Sequence, residues 1–207
     1  MTLDIFAKRF YNQKKYKKES VCMCGRFYIE TEDRVMRSII EEAEKKSKVK
    51  TGEIFPSDKV PVLTSCGEIL PMRWGFNRFD GKGIVINARS ETAETKSMFR
   101  LPMQTGRCLI ACSYYFEWKK RNTEKIKFKL LPVEHGFIWL AGVSRVSPKT
   151  NEKTFVILTR PASESINFIH DRMPVIFSER SQDEWLNTLN PSKTLEKAIA
   201  EMKYSRA

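Results

Sequence analysis

The residues able to do chemistry in this chain are few: a cysteine after an internal methionine, an Asn/Arg pair, one glutamate among aromatics, and two histidines. Cys24 lies between Met23 and Gly25-Arg26. An internal cysteine at a strand start reads first as a small buried residue. A cysteine that becomes an amino terminus holds two nucleophiles instead. Its α-amine, with a reference pKa of ~7.7–8, is partly neutral at physiological pH and attacks an aldehyde, after which the thiol closes a five-membered thiazolidine ring. Both groups sit on one residue, so closure is intramolecular and gains from proximity. A small second residue also favours removal of an initiator methionine, so a chain begun at Met23 exposes Cys24.

In Asn87-Ala88-Arg89-Ser90-Glu91-Thr92 the strand period places Asn87 and Arg89 on one face. An amide beside a guanidinium suits a sugar hydroxyl beside a phosphate; alone, the pair equally well ends a strand and ties down a turn. In Tyr115-Phe116-Glu117-Trp118 a carboxylate sits amid aromatics, where burial raises its pKa toward that of a usable proton shuttle. The bland alternative is a glutamate facing solvent. His135 falls in an expected exposed turn, whereas His170 follows Phe168-Ile169 and opens His170-Asp171-Arg172-Met173-Pro174, where a helix-capping histidine is the plain reading. Trp74, in Arg73-Trp74-Gly75-Phe76, suits either base stacking or a core.

Together, Met23-Cys24-Gly25-Arg26-Phe27, the Asn87 to Thr92 stretch, Phe116-Glu117-Trp118 and the His170 to Pro174 stretch resemble the SRAP family over about residues 23–189. The resemblance implies a β-barrel-like core with peripheral helices, and a protein that seals abasic sites in single-stranded DNA by a covalent bond through Cys24. It implies that Asn87 orients the abasic sugar, Arg89 grips its phosphate, Glu117 is the acid/base, and His170 transfers a proton at the sugar ring oxygen or the imine. Arg26 is assigned to phosphate, Arg172 to phosphate or local bracing, and Trp74 to the border of the DNA groove. No metal or cofactor is implied, and an imine left unclosed permits β-elimination, a lyase activity. Two rival readings stand beside it: a cysteine peptidase using Cys24, His170 and Asn87 or Glu117 on its own leader, and a non-catalytic nucleic-acid binding module.

The rest of the chain must position these groups. Its 207 residues, 41% of them hydrophobic, fit one domain with a real core. Five cysteines without a secretory signal point to reduced thiols and a cytoplasmic protein, nucleoid-associated when bound to DNA. The pairs Cys22/Cys24 and Cys108/Cys112 lack the context of a zinc knuckle, and buried structural thiols are expected. The net charge of +12 favours a polyanionic partner. Residues 1–22 contribute +4 of it and the remainder +8. That leader reads as an upstream extension, since Lys18-Glu19 can be encoded by a ribosome-binding sequence spaced suitably before Met23; self-cleavage before Cys24 is the alternative. Residues 23–207 then form the SRAP-like domain, expected as a monomer with no membrane association.

Residues 26–30 read as a first strand, and Thr31-Glu32-Asp33 starts a helix with Val35, Met36, Ile39, Ile40 and Ala43 on its apolar stripe. Short β-rich runs follow at 59–64, 68–76, 83–87, 107–118, 126–131, 137–143 and 154–158. Helices are expected at 163–169, 181–189 and 192–202, each opened by a serine. The chain stops where relatives usually continue, so a closing strand is expected to be missing. The fold class is α+β, a twisted, mainly antiparallel, barrel-like sheet with peripheral helices in a single domain.

Overall fold

The computed structural model describes residues 25–133 and 138–207. Cys24, the leader 1–22 and His135 lie outside the described residues. The chain runs β1 (Arg26–Ile29), α1 (Arg34–Glu44), β2 (Gly52–Ile54), β3 (Lys59–Thr64), β4 (Ile69–Trp74), β5 (Phe76–Asn77), β6 (Ile84–Val85), β7 (Asn87–Arg89), α2 (Ser90–Ala93) and α3 (Ser97–Thr105). There follow β8 (Arg107–Cys112), β9 (Tyr114–Arg121), β10 (Glu124–Pro132), β11 (Ile138–Val146), β12 (Lys153–Pro161), β13 (Arg172–Pro174), β14 (Ile176–Phe177), α4 (Glu179–Asn187), α5 (Pro191–Leu195) and β15 (Met202–Arg206). The α+β class is as expected.

Five strands close into a barrel: β3 pairs with β4 and β8, β8 with β11, β11 with β12, and β12 returns to β4 in the one parallel pairing of the ring. Every position of β8 is buried, because its unbroken apolar run Cys108-Leu109-Ile110-Ala111-Cys112 suits a strand covered on both faces. Gly142 of β11 marks a close approach: a Cβ there would meet Ile110 Cδ1 at 2.6 Å and the Val156 carbonyl oxygen at 2.8 Å. Beside the barrel lies a second sheet in the order β15-β10-β9-β1-β2.

α1 covers the barrel as its sequence pattern predicts. Asp33 caps it by accepting from the Met36 N–H at 2.8 Å, and Met36, Ile39, Ile40 and Ala43 are buried. Val35, counted with that stripe, is 52% exposed, because it sits about 100° round the helix from Met36.

Other expectations need correcting. The run 107–118 is two strands in different sheets. The chain changes sheet at Ser113, whose N–H donates to the Tyr28 carbonyl (2.8 Å) and whose hydroxyl accepts from the Glu30 N–H (2.9 Å). The run 68–76 breaks at Gly75, where φ is +118°. Residues 163–169 are successive turns rather than a helix: β12 and β13 pair up to Pro161↔Arg172, so the segment between them must double back within a few residues. The last expected helix shrinks to α5, and residues 202–206 are instead the edge strand β15, paired with β10 from Met202 to Arg206.

Candidate active site

Glu117 is placed by β9. Its side chain shares a face with Tyr115 and, across the register, with Phe128 and Leu130. Only 2% of Glu117 is exposed, so the carboxylate predicted among aromatics is inside the fold. β1 pairs with β9 through Arg26↔Phe116, which brings Gly25, the residue bonded to Cys24, to the start of the neighbouring strand. Arg26 is half engaged: it bonds Glu53 at 3.1 Å, and its guanidinium lies 4.2 Å from the Phe55 ring centroid and 5.3 Å from that of Trp118. Lys127 also holds Glu53, at 2.8 Å. Burial opposes ionisation of Glu53, but its hydrogen bonds to Lys127 and Arg26 outweigh it and lower its pKa.

A second group gathers where β7 runs parallel to β12, with Ile157 opposite Asn87 and Thr159 opposite Arg89. Asn87 is half-buried and Arg89 exposed. Arg172 does not reach for solvent. Its guanidinium grips both carboxylate oxygens of Glu91 and donates to the Thr159 carbonyl at 2.7 Å. The hydrogen bonds from Arg172 hold the Glu91 pKa at about 2. Of the two roles expected of Arg172, the pairing with Glu91 is the geometry of local bracing, with its charge matched inside the protein. Arg89 differs, making no hydrogen bond or ion pair among the described residues.

The Arg172 clamp also sets His170. The Arg172 backbone N–H donates to His170 Nδ1 at 3.1 Å, which fixes the neutral tautomer with its proton on Nε2. Nε2 is buried and has no hydrogen-bond partner among the described residues. Burial lowers the His170 pKa, against the opposing pull of Asp171, whose Oδ1 lies 2.9 Å from Nδ1. That carboxylate is the partner Nδ1 gains once protonated. The end of β9 packs onto the same turn: Lys119 Nζ lies 4.6 Å from the Phe168 centroid, and the Lys120 charge is felt at His170. Glu117 is thus three residues along β9 from a side chain that acts on His170.

Trp74 is not at a groove. Its ring is fully buried, donates from Nε1 to the Ile86 carbonyl at 2.9 Å and packs beside Phe27 and Phe155, so no face is left for a base. Sequence reasoning instead missed the cleft of about 900 Å³ beside Asn87 and Arg89, lined also by Arg78, Phe79, Lys96 and Met98. The available signal was Arg78-Phe79-Asp80-Gly81, an aromatic in a charged turn; Phe79 is 74% exposed. It also missed Glu91, whose partner lies 81 residues away. Cys108 and Cys112 are buried thiols whose pKa values burial pushes well up, which suits a structural role.

The fold and site define a class: an α+β protein with a closed five-stranded barrel, and beside it a buried carboxylate, a neutral histidine and an unengaged arginine. The chain belongs to the SRAP family, described as SOS response associated peptidase, whose family model matches residues 23–206. It is 32% identical over 186 residues to the abasic site processing protein YoqW of Bacillus subtilis (strain 168), covering 81% of this chain and 82% of that one. It is 30% identical over 176 residues to the abasic site processing protein YedK of Escherichia coli (strain K12), covering 79% of each. A solved protein structure from Bacteroides thetaiotaomicron shares the fold at a TM-score of 0.67 and 24% identity, covering 88% of this chain and 84% of that one. No helix among the described residues is long and apolar enough to cross a membrane.

Proposed function

We propose that this chain processes abasic sites in single-stranded DNA and forms a thiazolidine crosslink through Cys24 exposed as an amino terminus. The observation that carries the reading is the His170 Nε2 atom, buried and without a hydrogen-bond partner among the described residues, on a turn packed against the strand of buried Glu117. The family match supports it, beginning at Met23 and including Cys24. The ring-opened abasic sugar presents an aldehyde at C1′. The Cys24 amine adds to that carbon and water leaves, giving an imine. The thiolate then adds to the same carbon while the nitrogen takes a proton, so the net reaction is a condensation losing one water. Glu117 and His170 serve the proton transfers of ring opening and water loss. Arg89, exposed beside half-buried Asn87, takes the phosphate. β-Elimination from the unclosed imine is the competing lyase outcome.

The test is incubation with a single-stranded oligonucleotide carrying one abasic site. A denaturation-stable adduct with the mass of protein plus DNA minus one water is expected, with Cys24→Ala giving none. A stable adduct retained by Cys24→Ala sinks the reading. The family description as a peptidase favours one alternative, cleavage of a peptide bond by Cys24 with His170. A peptide panel and intact-mass measurement of the chain's amino terminus decide it.

A further inference from the structure

The face of the second sheet that carries Glu117 continues beyond it. Alternation along β9 puts Lys119 and Arg121 on that face, and the register sets Phe128 of β10 and Arg206 of β15 in one row with Glu117. Over this row lies a cleft of about 600 Å³. Phe128, Phe168 and Tyr204 meet edge to face around it, with centroids 5.1 to 6.3 Å apart. Phe128 is buried, but Phe168 and Tyr204 are 42% and 48% exposed. Lys119, Arg121 and Arg206 also line it, with Ile126 and Ser205, and the lining contains no acidic side chain among the described residues.

Large exposed rings beside unneutralised cations call for an occupant that supplies both flat apolar surface and negative charge. An apolar peptide covers the rings and strands the cations. A single nucleic-acid strand satisfies both, with its bases on the rings and its phosphates on Lys119, Arg121 and Arg206. The position fits as well: Phe168 precedes His170 by two residues and Lys119 follows Glu117 by two, so the cleft adjoins the candidate site along both segments. We propose that this cleft is a base-stacking subsite of single-stranded DNA, holding an unpaired nucleotide adjacent to the reacting one. The proposal rests on the functional reading above and adds a recognition element to it.

The experiment separates the two. Binding is measured by fluorescence anisotropy with full-length Cys24→Ala protein, which removes the proposed crosslink. Two abasic oligonucleotides of equal charge are compared, one with bases beside the abasic site and one with base-less tetrahydrofuran residues on one flank. On one flank the bases should tighten binding roughly 5- to 100-fold, and that ratio should fall toward one when Tyr204→Ala or Phe168→Ala is added. A 5-iododeoxyuridine in that flank should photo-crosslink to Tyr204 or Phe168, a readout that survives any loss of folding in the variants. Equal binding whichever flank lacks bases, or photo-adducts only at other residues, overturns the cleft proposal. Failure of the wild-type chain to form any adduct, with the base effect intact, overturns the crosslinking reading and leaves the cleft standing.

Discussion

At the residue level, the clamp on Arg172 ties a surface carboxylate to the histidine. Glu91 holds the guanidinium, and the backbone N–H of the same arginine holds His170 Nδ1. Glu91 is therefore a positioning residue. Glu91→Gln should lower the single-turnover crosslinking rate by about tenfold or more, because small misplacements of a reacting group are costly, while the DNA concentration at half-saturation stays within about twofold; a merely structural role would move both or neither. The depressed pKa of His170 makes a second prediction. The folded state keeps it neutral where the unfolded chain, near 6.5, begins to protonate. Its contribution to stability is thus full above pH 6.5 and is lost as pH falls through the folded value. Urea unfolding should show wild type losing more stability than His170→Gln between pH 7 and pH 5. Parallel losses would remove the neutral, buried histidine from the argument.

Elements explain what the sequence hid. A helical apolar period made α1 readable, and unbroken apolar runs made barrel strands such as β8 readable, because both faces of that strand are covered. Trp74 was ambiguous for a different reason: beside Gly75 it reads alike as a stacking platform or a core residue, and what buries it is Phe155, on a strand far along the chain. Trp74→Ala should cost about 3–5 kcal/mol of stability as a large-to-small core change. Thermal unfolding checks this, and a variant with unchanged Tm but weakened DNA binding would restore the platform. In the tail, Leu195, Ala198, Ile199 and Met202 recur at helical spacing and all pack against the core. A short α5 and turns satisfy that spacing, because the Ile199 N–H donates to the Ile176 carbonyl at 2.9 Å and pulls the chain out of helix. Asn87, Glu117 and His170 were singled out because their motifs are contiguous, and the structure places Glu117 inside the fold and His170 on the turn beside its strand. Glu91 was not, because only the β7–β12–β13 pairing brings it to Arg172.

For the molecule as a whole, the formal charge of +12 favours a polyanionic partner but does not say which cations meet it. The structure ranks the arginines that the sequence treated alike. Arg172 is matched by Glu91, Arg26 shares Glu53 with Lys127, and Arg89 has no partner among the described residues. A phosphate contact releases counterions only where the cation is not already neutralised by the protein, and each such contact on a single strand contributes ~0.7 to the slope of log affinity against log salt. Arg89→Ala should accordingly weaken binding to all sequences alike and reduce that slope by about 0.7. In Arg172→Ala the slope should stay close to wild type or become only slightly shallower, because the Glu91 carboxylate left without its cation repels phosphate and salt screens that repulsion, and the main loss should appear in stability and crosslinking rate. Arg26→Ala should fall between them, since its removal leaves Lys127 to neutralise Glu53. Titrations of a single-stranded oligonucleotide at four or more salt concentrations give the three slopes. Equal reductions for Arg89→Ala and Arg172→Ala would mean that the Glu91 clamp opens on DNA binding and that both arginines reach phosphate.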